Sequence, residues 1–213
     1  MMQAKRWWFG CVVLACLGVA VGVARSAEEE GQGADDMSPE QAKMMEAYMK
    51  AGTPGPEHAR LTKLAGHWNA EVKFWYQPDS TPSVSKGTSD FKSILGGRYV
   101  EEAFKSDMGG VPFEGRGLSG YDNLKKKYVS LWMDSMSTSI MMLTGEWDEA
   151  QKAIVTYGEE TDPMGTKWKL RSVAKEVSPT KYVYSAYRAA PDGKEYKSLE
   201  VTYTKGESGG AGN

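Results

Sequence analysis

From Gly66 onward the chain beats in twos. Trp68, Ala70, Val72, Phe74 and Tyr76 alternate with His67, Asn69, Glu71, Lys73 and Trp75. Successive side chains of an extended strand point to opposite faces, so this pattern describes a strand with one face turned to a core. Strand-like runs recur at 86–95, 98–105, 113–121, 127–134, 138–147, 152–159, 166–177, 181–188 and 195–204. Turn residues separate them: Gly96-Gly97, Gly109-Gly110, Asp122-Asn123, Asp162-Pro163 and the hairpin signal Pro191-Asp192-Gly193-Lys194. No helical period intervenes, which implies antiparallel pairing. So many short strands do not stay easily in a flat open sheet; closure into an up-and-down barrel, or stacking as a sandwich, is expected. The fold class read from the sequence is all-β: an antiparallel up-and-down barrel of about 8–10 strands behind a short N-terminal helical segment.

The chain before Gly66 reads as several segments. Lys5 and Arg6 precede an uncharged run from Trp7 to Val23, and Gly22-Val23-Ala24 is a small-residue cleavage pattern. Residues 1–24 therefore read as a signal peptide, and the protein as periplasmic or secreted. An uncleaved anchor helix is the alternative, because the run lies at the lower edge of spanning length. Val13-Leu14-Ala15-Cys16 also loosely resembles a lipoprotein signal. The only two cysteines, Cys11 and Cys16, lie in this leader, so a cleaved chain has neither a disulfide nor a thiolate ligand. Cleavage removes Lys5 and Arg6 and takes the net charge from −2 to −4. Residues 25–37 are an acidic, glycine-containing linker. In 38–56, Ser38 and Gln41 form a capping box around Pro39, and a helix bearing Met44, Met45, Tyr48 and Met49 ends at Gly52-Thr53-Pro54-Gly55-Pro56. A second short helix spans about Glu57 to Leu64. The barrel domain is placed at 57–205 and a Gly/Ser-rich tail at 206–213.

Two stretches carry a resemblance. Gly66-His67-Trp68, behind a short helix, is similar to the G-x-W start of lipocalin-like barrels, in which the Trp closes one end under a basic residue of the last strand. Lys205 is the counterpart here. Residues 113–135 (FEGRGLSGYDNLKKKYVSLWMDS) resemble the core of the bacterial domain-of-unknown-function 1579 family. Leu95-Gly96-Gly97-Arg98, Asp162-Pro163 and Glu200-Val201-Thr202-Tyr203-Thr204 fit the same pattern. The resemblance covers about His58 to Lys205 and implies a calycin-type barrel with no agreed catalytic residues. A related haem barrel takes its axial histidine from near the C-terminal end. The two histidines here are His58 and His67, so that route is closed and no cofactor is expected.

The residues themselves exclude several chemistries. Gly115-Arg116-Gly117-Leu118-Ser119-Gly120 satisfies G-x-G-x-x-G, but a turn and another strand follow it, not the helix a dinucleotide site requires. Lys125-Lys126-Lys127 reads as a solvated hairpin tip. With near-neutral overall charge, no nucleic-acid partner is expected. Glu101-Glu102 and Glu159-Glu160 are adjacent strand residues, so each pair splits into one solvated and one packed or paired carboxylate. Two histidines cannot build a metal site.

What remains is an aromatic body: five Trp, eleven Tyr and four Phe follow the leader. The expected function is non-covalent binding of a small apolar or amphipathic ligand in the barrel, with no integral membrane association after cleavage. The expected lining is Trp68, Tyr99, Glu101, Arg116, Tyr128, Trp132, Asp134, Met141 and Tyr184. Glu101, Arg116 and Asp134 are its inward polar groups, and Ser139, Met141 and Leu143 share one face of the following strand. Two other readings stay open: a filled barrel acting as a structural or interaction module of the envelope, and an acid/base isomerase or cyclase. No catalytic residue is assigned, and the oligomeric state is not readable.

Overall fold

The computed structural model describes residues 37–189 and 193–206. The leader, most of the linker, Pro191-Asp192 of the hairpin signal and the tail beyond Gly206 lie outside the described residues. The chain divides into two units, Met1–Ala42 and Lys43–Asn213. In the first, the Ser38 N–H donates to Gln41 Oε1 (2.8 Å) and the Gln41 N–H to Ser38 Oγ (3.2 Å), the reciprocal pair that starts helix α1 (Pro39–Gly52). This helix buries none of its residues, and Met44, Met45, Tyr48 and Met49 are exposed.

The second unit holds α2 (Pro56–Thr62) and ten strands: β1 (Gly66–Phe74), β2 (Ser83–Ile94), β3 (Tyr99–Asp107), β4 (Pro112–Asp122), β5 (Lys127–Asp134), β6 (Met141–Asp148), β7 (Ala153–Thr161), β8 (Lys167–Ser178), β9 (Lys181–Ala189) and β10 (Glu195–Lys205). Each pairs antiparallel with its chain neighbours, and β1 also pairs with β10, so the sheet closes on itself as a barrel and not as a sandwich. Closure removes the free edges that an open sheet of this width would expose. Two details differ from the sequence reading. β6 begins at Met141, which leaves Ser139 in the preceding loop, where its backbone N–H is tied to Ser137 Oγ. β1 ends at Phe74, and Tyr76 beyond it is 69% exposed with its ring edge-on to Phe74.

The two ends of the barrel differ. At the end where β1 starts, α2 packs Leu61 into a core with Trp68, Phe91, Val100, Tyr128 and Tyr203. Its Arg60 donates to Tyr128 Oη (2.6 Å) and stacks over the Trp147 ring at 3.9 Å. Trp68 Nε1 donates to Leu64 O (2.7 Å), and Lys205 of the last strand sits 4.4 Å above the Trp68 ring while donating to Ala65 O (2.8 Å). Gly66 has φ +126°, and a Cβ there would stand 2.9 Å from Lys205 Nζ. The glycine of G-x-W thus lets the lysine cross over the tryptophan. At the other end, called the mouth here, no helix covers the barrel among the described residues.

Candidate functional site

Register decides which side chains enter the lumen. Trp68, 2% exposed, is paired through Ser89, Phe104 and Gly115 to Asp134, so this row faces inward. Alternation then turns Tyr128, Ser130, Trp132 and Asp134 inward on β5, Met141 and Leu143 on β6, and Tyr184 on β9. Six of the nine expected lining residues therefore face the lumen. Trp68 and Tyr128 are locked in the α2-end core, whereas Trp132, Asp134 and Met141 lie toward the mouth and Tyr184 between.

Tyr99, Glu101 and Arg116 face outward, which corrects the expectation for all three. On β3 the inward positions are Val100, Glu102 and Phe104, so their odd-numbered neighbours turn to solvent. Arg116 sits between Gly115 and Gly117, two of the positions of β4 that face in. Tyr99 lines an external cleft of ≈ 460 Å³ with His58, Leu118, Asn123 and Leu131. Arg116 borders a rim depression with Glu114, Met133, Asp134 and Ser135.

The carboxylate that enters the lumen is Glu102, which the sequence flagged only as one of a split pair. Its Oε1 accepts from Ser89 Oγ (2.7 Å) and from Tyr203 Oη (2.9 Å). Its Oε2 accepts no hydrogen bond from the described residues. A Cβ placed on Gly117 would stand 3.2 Å from Oε2 and 3.5 Å from Trp132 Cε3. One placed on Gly115 would strike the same indole at 2.2 Å. The two glycines therefore give the Trp132 ring a flat bed and bring the free carboxyl oxygen and the indole to one spot. The Phe104 ring meets Trp132 edge-on at 6.2 Å and Phe113 at 5.9 Å, extending the aromatic wall toward the mouth.

Burial pushes the Glu102 carboxyl above its usual range, against the two hydroxyl bonds that favour the carboxylate. Burial and the nearby Glu102 likewise raise Tyr203 and Tyr182, and Tyr184 is pushed up to about 12. Nearer the mouth, Arg188 Nη2 lies 2.6 Å from Glu160 Oε1, and its guanidinium carbon stands 6.0 Å from the Phe74 and Trp168 rings. Asp134 accepts from Trp132 Nε1 (3.0 Å) and the Met136 N–H (2.9 Å). From the middle of the barrel to the mouth, the described strands thus turn three carboxylates and one guanidinium inward.

Around this level several inward positions are small, Ala70, Gly87, Gly117, Ser119, Ser130, Thr156, Ser172 and Ala186, set among the larger Leu143, Tyr184 and Tyr203. Glu102, Ser119, Ser130, Trp132, Met141 and Tyr184 are only half-buried although they face inward. The remaining signals resolve as packing or surface. G-x-G-x-x-G lies wholly within β4. Lys125 pairs with Asp122 and Lys127 with Glu146. His67 points outward to Asp90, and buried His58 accepts the Gly55 N–H at Nδ1 (3.0 Å). Among the described residues no group of three or more His, Cys, Asp or Glu side chains is placed to hold a metal.

The family model described as "Protein of unknown function (DUF1579)" matches residues 53–205. The chain belongs to the DUF1579 family. No curated protein matches it. Among solved structures, this DUF1579 barrel is similar to Rv2717c from M. tuberculosis, at 12% identity and TM-score 0.54 over 73% of this chain and 100% of that one. It also aligns with the S-type phycobiliprotein lyase CPES from Guillardia theta (8% identity, TM-score 0.47, 73% of this chain and 99% of that one). A designed fluorescence-activating β-barrel aligns at 15% identity and TM-score 0.37, over 68% of this chain and 96% of that one. The likeness to Rv2717c is one of fold; what the DUF1579 barrel does has to be argued from its own lumen.

Proposed function

We propose that this DUF1579 protein binds a small apolar or amphipathic molecule non-covalently in the barrel lumen, admitted at the end opposite α2. One observation carries the reading: a belt of small inward residues under an aromatic wall, with inward side chains still reached by solvent. Apolar burial at about 25 cal/mol per Å² against Trp132, Phe104, Phe113 and Met141 supplies the affinity. The reading includes export, with residues 1–24 as a cleaved signal peptide; the mass of the mature chain in the periplasmic or culture fraction tests that part.

The direct test is a thermal-shift screen with alkyl alcohols, fatty acids and quinones, together with native mass spectrometry of the freshly purified protein. A ligand at a hundred times its Kd adds about 2.7 kcal/mol to stability and raises Tm measurably. Absence of any shift, with no co-purified molecule, contradicts the reading.

One observation favours a second reading, an interaction module: α1 leaves Met44, Met45, Tyr48 and Met49 exposed. It predicts a partner that is lost when residues 38–56 are deleted. An acid/base enzyme is not favoured. The hydroxyls bonded to Glu102 are a serine and a tyrosine raised well above 10, so no second group poised near neutrality adjoins it among the described residues.

A further inference from the structure

Resting on the lumen-binding reading, we propose that the ligand is a cationic amphiphile: an apolar body whose protonated amine donates to Glu102 Oε2 beside the Trp132 ring. Three observations converge on that spot. Oε2 has no hydrogen-bond partner among the described residues, whereas Oε1 accepts from Ser89 and Tyr203, so the carboxyl has one oriented acceptor to offer. Beside Gly117 that oxygen and the indole lie close together, 3.2 Å and 3.5 Å from where a Cβ would stand, a pairing of negative charge with an aromatic ring that suits an ammonium group. The inward charge from there to the mouth is negative. Arg188 is engaged by Glu160, leaving Asp134 and Glu102 without a cationic partner from the described residues.

The groups facing Glu102 reinforce this assignment. Among the described residues they are Ser89 from β2, Tyr203 from β10, Tyr182 and Tyr184 from β9, and Trp132 from β5, and none of these is a cation. A buried carboxylate without a counter-charge is costly, and a bound ammonium supplies that charge. Binding therefore draws the proton off Glu102, and affinity for an amine rises with pH as the carboxyl ionises. A ligand that presents a carboxylate meets the opposite field.

Calorimetric titration of the full chain with dodecylammonium, dodecan-1-ol and dodecanoate, all below their micellar concentrations, tests the proposal. These probes share one chain and differ only in the head group. At about pH 8 dodecylammonium binds about tenfold or more tightly than dodecanol, the size of one charge-assisted contact, and dodecanoate binds weakest. Glu102→Gln abolishes the preference for dodecylammonium over dodecanol. Should that variant fail to fold, the wild type alone decides. Its amine affinity rises from about pH 5 to about pH 8, where an alkylammonium of pKa near that of lysine stays protonated, and its dodecanol affinity stays flat. Dodecanoate binding as well as the amine, an amine affinity that does not rise with pH, or a Glu102→Gln variant that keeps the preference overturns the head-group assignment and leaves lumen binding standing. Failure of all three probes to bind overturns both.

Discussion

Tyr203 on β10 donates its hydroxyl to Glu102 on β3 at 2.9 Å, across the lumen from a strand three pairings away around the wall. The bond is a transverse bar. On its α2 side lies the packed core of Trp68, Phe91, Val100 and Tyr128; on its mouth side lie the small residues and the Trp132 bed. Tyr203→Phe removes the bar but keeps the ring contacts with Phe91 and Tyr182. Loss of one partner of a buried carboxyl is expected to cost about 1–3 kcal/mol, read as a lower urea midpoint with unchanged slope.

Glu102 also sets a pH dependence. Its folded pKa is raised above the ordinary 4.5 by burial, so the folded state holds the proton more tightly than the unfolded chain. That stabilisation is complete below about pH 4.5 and is lost as pH rises through the folded pKa. Glu102→Gln keeps an acceptor for Ser89 and Tyr203 but cannot ionise. The Tm of the variant relative to wild type is expected to climb with pH from about 4.5 upward, as followed by circular dichroism across that range.

The closure of the barrel at its α2 end makes a separate prediction. Lys205 contributes both a bond to Ala65 O and a cation over the Trp68 ring. Lys205→Met keeps the aliphatic stem and removes both, an expected loss of about 1–2 kcal/mol in denaturant unfolding. Trp68→Ala opens a cavity in the same place and is expected to cost about 3–5 kcal/mol.

The sequence carried the barrel because period-two alternation and turn residues are local signals, and closure followed from strand number. It also carried Lys205 over Trp68, since both positions sit at strand ends where a motif could be matched. Orientation within β3 and β4 was harder to read. Glu101 and Glu102 are chemically identical, and only the placement of Val100 and Phe104 in the core shows which one turns inward. That alternation was present in the sequence and was the signal to follow. Arg116 was misplaced because glycines hide the parity of β4: Gly115 and Gly117 have no side chain to mark the inner face. The Tyr203 bond to Glu102 joins residues 101 positions apart and depends on barrel curvature, which no local pattern encodes.

The bed under Trp132 is testable without a ligand. Gly115→Ala puts a methyl where the indole lies, 2.2 Å from Cζ2, and is expected to destabilise by about 1–3 kcal/mol as the ring is forced aside. Gly87→Ala, where the added methyl would meet backbone oxygen of Lys105 at 2.4 Å, is expected to cost at least as much. The ring displacement in Gly115→Ala is checked by near-ultraviolet circular dichroism, which should change there and stay close to wild type in Gly52→Ala, whose Cβ meets nothing within 4 Å.

A crystal structure of the full chain grown with dodecylamine tests lumen binding most directly. The account predicts continuous density inside the barrel, with the nitrogen within hydrogen-bond reach of Glu102 Oε2 and the alkyl chain running past Trp132 and Ser130 toward Met141. An interior filled by side chains, or density confined to the external cleft at Tyr99 and Leu131, would contradict it.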